Sequence, residues 1–95
     1  MSAYVIVDIA VSNPERYEDY KAMAAESVER YDGRYVVRGG RSEPLEGAWE
    51  PQRVVVLEFP TYERAKAWWS SEDYREAKAL RQAVAESRMI VVEGV

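Results

Sequence analysis

The order of local patterns along the chain restricts its fold more than any other feature of the sequence. Within 95 residues the patterns run strand, helix, strand, long polar loop, strand, helix and strand. Short β-branched runs mark the strands, and apolar residues at three- and four-residue steps mark the helices. The predicted strands are residues 3–11, 34–40, 52–59 and 89–93.

The predicted helices have recognisable ends. Asn13 suits the N-cap of the first helix and Pro14 suits its first position, while Gly33 suits a left-handed cap after its last turn. In the second helical region, Ser70 and Ser71 predict a break and a new N-cap. The predicted apolar stripe of the first helix consists of Tyr17, Tyr20, Ala24, Ser27, Val28 and Tyr31.

Two similar strand–helix–strand halves, joined by a long hairpin, form the split βαβ arrangement of the ferredoxin-like fold. We therefore predict a single α+β domain over residues 1–95. It is a βαββαβ protomer with a four-stranded antiparallel sheet and helices on one face. In the first strand, Val5, Val7 and Ile9 share one face of the sheet and Asp8 lies on the other.

The composition argues against several classes of function. The chain has no histidine and no cysteine, which removes Ser-His-Asp triads, thiol chemistry, disulfides and most zinc sites. Its net charge of −4 argues against binding to nucleic acid and against docking on acidic lipid. No calcium-loop or phosphate-loop spacing is present, so we expect no metal and no cofactor. We expect a cytoplasmic protein, because residues 1–11 do not resemble a signal peptide and no apolar run is long enough to cross a bilayer.

The second face of the predicted sheet is unusually apolar. The helices cover only one face, to which Val55, Leu57 and Phe59 are suited, and a large exposed apolar patch is rare on a soluble monomer. We therefore predict a homodimer in which two sheets pack face to face. The alternative is that the strand registers differ and the second face is more polar. The residues predicted to face the partner are Ile6, Val36, Val54, Val56 and Val91.

Short motifs recur along most of the chain in one order and spacing. They are Asn13-Pro14 with Tyr17 and Tyr20; Tyr31-Asp32-Gly33-Arg34 leading into Val37-Arg38-Gly39-Gly40; Glu46-Gly47-Ala48-Trp49; Arg53 with Val54-Val55-Val56; Glu58-Phe59-Pro60; Ala65, Trp68, Ser71 and Tyr74; and Val92-Glu93-Gly94. In this order they resemble the family known as domain of unknown function 1330, within the dimeric α/β-barrel superfamily.

The resemblance implies a ferredoxin-like protomer and a two-sheet dimer, and it implies no reaction. Superfamily relatives include cofactor-free monooxygenases, haem-degrading enzymes, small isomerases and dehydratases, and ligand-sensing domains. Many of those enzymes use a histidine, which this chain lacks. Asp32 departs from the family pattern, which more often has a second glycine there, and this affects only the geometry of the turn.

Arg38 is the first candidate for ligand binding. It lies in the second strand, on the face predicted to meet the partner, where a buried guanidinium needs an anionic partner. Either a ligand carboxylate or phosphate supplies that partner, or Asp8, Glu58 or Glu93 forms a structural ion pair. The adjacent Gly39 either lets a ligand approach the backbone or forms a bulge.

Glu58 and Asp8 are the candidate catalytic residues. Each is a carboxylate in an otherwise apolar strand. Burial would raise the pKa of either group and make it a proton shuttle. A nearby arginine, such as Arg38 or Arg53, would instead lower the pKa and form a simple salt bridge.

Three aromatic residues are further candidates for ligand contacts. Trp49, in the long loop, either covers a pocket or packs on the other protomer. Trp69 follows the core residue Trp68 on its helix and is expected at the edge of a pocket. Tyr20 is expected in the core, with a hydroxyl that reaches a cavity. Arg81 is expected to be a solvated charge.

These residues leave three functions open. The favoured one is a homodimer with a pocket between sheet and helices for an anionic or aromatic metabolite, anchored by Arg38 and covered by Trp49. The second is a cofactor-independent acid–base enzyme of isomerase, dehydratase or monooxygenase type, in which Glu58 or Asp8 moves the proton and Arg38 stabilises an enolate-like charge. The third is a dimer whose polar interior is purely structural.

Overall fold

Four strands and three helices follow one another in the predicted order. The computed structural model describes all 95 residues. The strands form one antiparallel sheet in the order β2-β3-β1-β4, which confirms the ferredoxin-like βαββαβ topology. The elements are β1 (Ala3–Val11), α1 (Pro14–Arg30), β2 (Arg34–Arg38), β3 (Val54–Phe59), α2 (Tyr62–Trp69), α3 (Glu72–Val84) and β4 (Ala85–Glu93).

The hydrophobic core lies between the sheet and the helices. Along β1, Val5, Val7 and Ile9 are buried while the residues between them are half-buried, which confirms the predicted alternation. Trp68 packs on Phe59 and Tyr74 with ring centroids 5.4 and 4.1 Å apart. None of the three helices combines the length and the hydropathy that crossing a bilayer requires.

The turn after α1 differs from the prediction for Gly33. Asp32, not Gly33, adopts the left-handed conformation, with φ of 63°, which aspartate tolerates better than most residues. Gly33 is required for space instead, because a Cβ there would lie 2.6 Å from Cε1 of Phe59 and 2.8 Å from Cγ1 of Val28. The turn can therefore pack directly against the core.

A bulge in β2 changes which way its residues face. Tyr35 lies opposite Leu57 and Arg38 lies opposite Val55, with Val36 as the additional residue between them. Leu57 and Val55 are buried beneath the helices, so Tyr35 and Arg38 also face the helices. The prediction that Arg38 faces a partner sheet was wrong, because one inserted residue reverses the alternation of side chains.

The other side of the sheet, which we call the open sheet face, carries no helix and is largely apolar. Val91 does not belong to it, because Val91 lies opposite the buried Val5. Ile90 and Val92, the residues before and after Val91, lie on the open sheet face instead. They are 60% and 42% exposed. The apolar residues of the open sheet face are Ile6, Val37, Val54, Val56, Ile90 and Val92.

Candidate functional site

The largest opening in the protein is a groove between α2 and β4, with a volume of about 570 Å³. This size lies within the range of small-molecule sites. The sheet contributes Val5, Met89 and Val91 to its walls, and α2 contributes Ala65 and Trp69. The walls are therefore mainly apolar.

The groove lies where the second helical region is interrupted. Ser71 caps α3 by accepting a hydrogen bond from the Tyr74 backbone N–H at 3.1 Å, and its hydroxyl donates to the Trp68 carbonyl at 2.7 Å. Ser70 donates to the Lys66 carbonyl at 3.0 Å. These bonds satisfy the backbone at the break, and they confirm the predicted new N-cap.

Arg81 is the one fully buried charged residue of the protein. It is only 4% exposed, and it lies in the wall of the groove. Its Nε and Nη1 atoms are buried without a hydrogen-bond partner. Leaving a guanidinium buried and unpaired costs several kcal/mol, so this arrangement favours binding of an anion.

The prediction of a solvated Arg81 was wrong. The buried residues of α3 are Tyr74, Ala77, Arg81 and Val84, spaced by three, four and three positions. That spacing is the apolar stripe of an amphipathic helix, and Arg81 occupies one of its positions. The sequence alone could have indicated that Arg81 is buried, because it occupies a position within an apolar helical stripe. A charged residue at such a position is a candidate functional residue.

Two tyrosine hydroxyls lie near Arg81. Tyr20 and Tyr74 share a buried hydrogen bond of 2.8 Å. Burial raises the pKa of both phenols, and the positive charge of Arg81 only partly opposes this. Both side chains therefore remain protonated at neutral pH, and their hydroxyls act as hydrogen-bond donors and acceptors.

Trp69 borders the groove. The residue is 45% exposed, and Nζ of Lys78 lies 3.8 Å from the centroid of its ring. Lys78 also donates to the Trp69 carbonyl at 3.0 Å. These contacts hold a flat aromatic surface at the edge of the groove.

The space beneath α1 is different, because it is nearly filled. The cavity there is only about 20 Å³, enough for about one water molecule. Tyr20 and Arg38 both line it. Arg38 forms none of the expected ion pairs, and its guanidinium stacks on the Tyr35 ring at 4.2 Å.

Asp8 holds the long loop against the open sheet face. It accepts hydrogen bonds from Nε1 of Trp49 at 2.8 Å and from the backbone N–H of Gln52 at 2.9 Å. The Trp49 bond is the main reason that the pKa of Asp8 lies below its usual value. Trp49 is 55% exposed and lies away from the groove, in a separate polar depression.

Glu58 also lies on the open sheet face, in an ion pair. Its Oε1 atom is 2.6 Å from Nη2 of Arg34, and its Oε2 accepts a hydrogen bond from Tyr4 at 3.3 Å. The Ser2 side chain, followed by Arg34, lowers the pKa of Glu58. Neither Glu58 nor Asp8 therefore has the raised pKa that a proton shuttle at neutral pH needs.

The seven predicted site residues do not form one site. Arg38 and Tyr20 line the cleft beneath α1, and Gly39 follows Arg38 in the chain. Asp8 and Trp49 form the loop contact. Glu58 is apart from both groups, at the other end of β3. Trp69 alone borders the large groove.

The amino-acid sequence matches the model of a known protein family over nearly its whole length. The model of domain of unknown function DUF1330 matches residues 2–95. The chain belongs to the DUF1330 family. This confirms the resemblance in the sequence motifs, while a search of curated proteins found no match.

Solved structures with the same fold cover nearly the whole chain. A protein of unknown function from Rhodopseudomonas palustris is 21% identical, with a TM-score of 0.80, over 99% of this chain and 82% of that one. SnoaB, a cofactor-independent oxygenase from Streptomyces nogalater, is 13% identical, with a TM-score of 0.72, over 99% and 93%. A dimeric ferredoxin-like protein of unknown function from Jannaschia sp. CCS1 is also 13% identical, with a TM-score of 0.72, over 99% and 100%. At these identities the likeness extends to the fold alone.

Proposed function

We propose that this protein is a homodimer that binds a small, mainly apolar anion, such as an aromatic or aliphatic carboxylate, in the groove between α2 and β4. The observation that carries the proposal is the burial of Arg81 with Nε and Nη1 unpartnered. A ligand carboxylate in the groove would neutralise the charge, and a rotation of the Arg81 side chain toward the groove would let it supply the missing acceptors. The apolar walls and the Trp69 ring suit the body of such a ligand.

We propose Arg81 in place of Arg38 as the anchor of the ligand. Arg38 is exposed and stacked on Tyr35, so its charge carries little desolvation cost. Arg81 is mostly buried in the wall of the groove, where the lower dielectric constant makes pairing with a ligand anion stronger than at an exposed arginine. Binding is favoured over acid–base catalysis, because both candidate carboxylates have lowered pKa values and lie on the other side of the sheet.

The test of the groove is ligand-induced stabilisation of the purified protein. Octanoate and benzoate should raise the melting temperature, since a ligand that binds only the folded state stabilises it. Octanol and benzyl alcohol, which lack the charge, should have much weaker effects. Arg81→Met should remove the response to the carboxylates, and Arg75→Met, at an exposed position on the same helix, should keep it.

Failure of both carboxylates to stabilise the wild-type protein would contradict the proposed groove ligand. If Arg81→Met then also proved less stable than wild type, the purely structural interior would be the better explanation. Native mass spectrometry of freshly purified protein provides a second measurement. A small extra mass that is lost in Arg81→Met would identify a resident ligand.

The dimer rests on the open sheet face. An apolar face of this kind is normally covered in soluble proteins, and the similar protein from Jannaschia sp. CCS1 is dimeric. Sedimentation should therefore give twice the chain mass. Ile90→Glu should produce a monomer, because a charge would be buried between two sheets. Leu45→Glu, on the exposed loop, should leave the dimer intact.

A further inference from the structure

We propose a second anion site, separate from the groove, in which Arg38 and Arg53 bind a phosphate or phosphomonoester dianion at the outer edge of the cleft beneath α1. The two arginines line the same cleft. Neither forms an ion pair with any carboxylate. In a protein of net charge −4, two guanidiniums that line one cleft without a carboxylate partner are a local positive centre.

Both guanidiniums are held by aromatic rings instead of acids. Arg38 lies 4.2 Å from the centre of the Tyr35 ring, and Arg53 lies 5.6 Å from that of Tyr17. Nε of Arg53 also donates to the Tyr17 hydroxyl at 3.3 Å. Stacking leaves the outer N–H groups of each fork available while limiting its motion, so less entropy is lost when an anion binds.

Gly39 explains how the Arg53 side chain fits against the turn that follows Arg38. It follows Arg38 directly and has a positive φ of 70°. A Cβ at this position would lie 2.6 Å from Cζ of Arg53, within the guanidinium. A side chain at position 39 would displace the Arg53 guanidinium from the turn, and the backbone conformation there is also one that glycine favours.

The backbone beneath Arg53 is fixed as well. Its carbonyl accepts a hydrogen bond from the Ile9 N–H at 2.9 Å, and the Gly39 N–H donates to the neighbouring Val54 carbonyl at 2.9 Å. The positions of both arginines are thus set by the sheet. A third cation, Lys21, lines the same cleft, although it pairs with Glu18 at 2.8 Å.

The shape of the site selects a compact anion. The cleft itself holds only about 20 Å³, so a ligand binds at its outer edge and not inside it. Two forks offer several N–H donors to one group, which suits the oxygens and double charge of phosphate better than a single carboxylate. The site therefore differs in chemistry from the buried, apolar groove around Arg81.

The experiment is an NMR titration of the full-length protein with inorganic phosphate at constant ionic strength. We expect saturable shifts at the Gly39 amide and at Nε–H of Arg53. Arg38→Gln and Arg53→Gln should each weaken binding at least about tenfold, because each removes a charged hydrogen-bonding group. Two controls should bind phosphate as wild type does: Arg16→Gln, at an exposed position on α1, and Arg81→Met, in the groove.

The backbone amide spectra of the variants establish whether each one remains folded. Absence of saturable shifts in the millimolar range would overturn the proposal. An equal loss of binding in Arg16→Gln would also overturn it, because the effect would then be general electrostatics. Tighter binding of acetate than of phosphate would overturn the assignment to a dianion. If octanoate and benzoate do not bind in the groove, the phosphate titrations of wild type and variants should still give the results expected here. The two proposals can therefore fail separately.

Discussion

The two halves of the molecule cover the same sheet in different ways. In the closed half, α1 is one continuous helix of 17 residues, and the space beneath it is about 20 Å³. In the open half, the helical region is divided into α2 and α3 at Ser70 and Ser71, and a groove of about 570 Å³ lies beside it. A continuous amphipathic helix closes over the sheet in one half, whereas a groove lies beside the break in the other.

The arginines of the two halves also differ in burial and in their contacts. In the closed half Arg38 and Arg53 are stacked at the edge of a filled core and keep contact with water. In the open half Arg81 lies inside the core without a hydrogen-bond partner for two of its nitrogens. A buried guanidinium without a partner lowers the stability of the folded state in the open half. The stacked guanidiniums of the closed half carry no such cost.

Replacement of Arg81 gives the largest expected change. Arg81→Met should raise the free energy of unfolding by about 1–4 kcal/mol, because a buried unpaired charge is replaced by an apolar side chain of similar length. Urea unfolding measures this directly. Arg75→Met, on the exposed side of α3, should change stability by less than about 0.5 kcal/mol. A lower free energy of unfolding in Arg81→Met would mean that Arg81 stabilises the fold. It would contradict the proposed difference between the two halves.

Matched valine substitutions compare the packing of the halves. Val55→Ala, beneath α1, should lower the free energy of unfolding by about 2 kcal/mol, because it removes buried methyl groups and leaves a cavity. Val91→Ala, in the wall of the groove, should cost less than about 1 kcal/mol, because an open wall has fewer contacts to lose. Equal losses in the two variants would mean that the groove is closed in solution.

The helix caps should have a smaller effect. Asn13→Ala and Ser71→Ala should each lower the free energy of unfolding by about 1 kcal/mol, since each removes an acceptor for an orphaned N–H. Only Ser71→Ala should change the groove, because Ser71 fixes the break beside Trp69. Tryptophan fluorescence and the stabilisation by octanoate test this. A change in octanoate binding in Asn13→Ala would contradict the independence of the two halves.

The carboxylates of the open sheet face should produce the smallest effect, a dependence of stability on acid. The pKa values of Asp8 and Glu58 are lower in the folded protein than in the unfolded chain, so the unfolded chain binds more protons in acid. Their contribution is present above the unfolded pKa values, about 4, and is lost as the pH falls through the lower folded values.

Unfolding of Asp8→Asn and Glu58→Gln at several pH values should show a flatter loss of stability in acid than wild type. Glu43→Gln, on the exposed loop, is the matched control and should follow the wild-type curve. Octanoate binding should be unchanged in all three variants, because none of the replaced carboxylates lines the groove. An altered binding response would connect the open sheet face to the groove.

Local features of the fold could be predicted because they depend on neighbours in sequence. The order of elements along the chain, the N-caps at Asn13 and Ser71, and the inward residues of β1 follow from side-chain period and hydrogen bonds within a few positions. Arg81 could have been found in the same way, as a charge within the stripe of α3. It was missed because an arginine next to Leu80 also fits a solvated position.

The sequence by itself determined the order of elements, the break at Ser70 and the apolar character of both sheet faces, since each is recorded in local periodicity. Only the tertiary structure decided that Arg38 faces the helices, because the period of two in β2 does not reveal an inserted residue. It also decided the pairing of Trp49 with Asp8, 41 positions apart. Contacts at that separation depend on how the elements pack, and no local pattern encodes them.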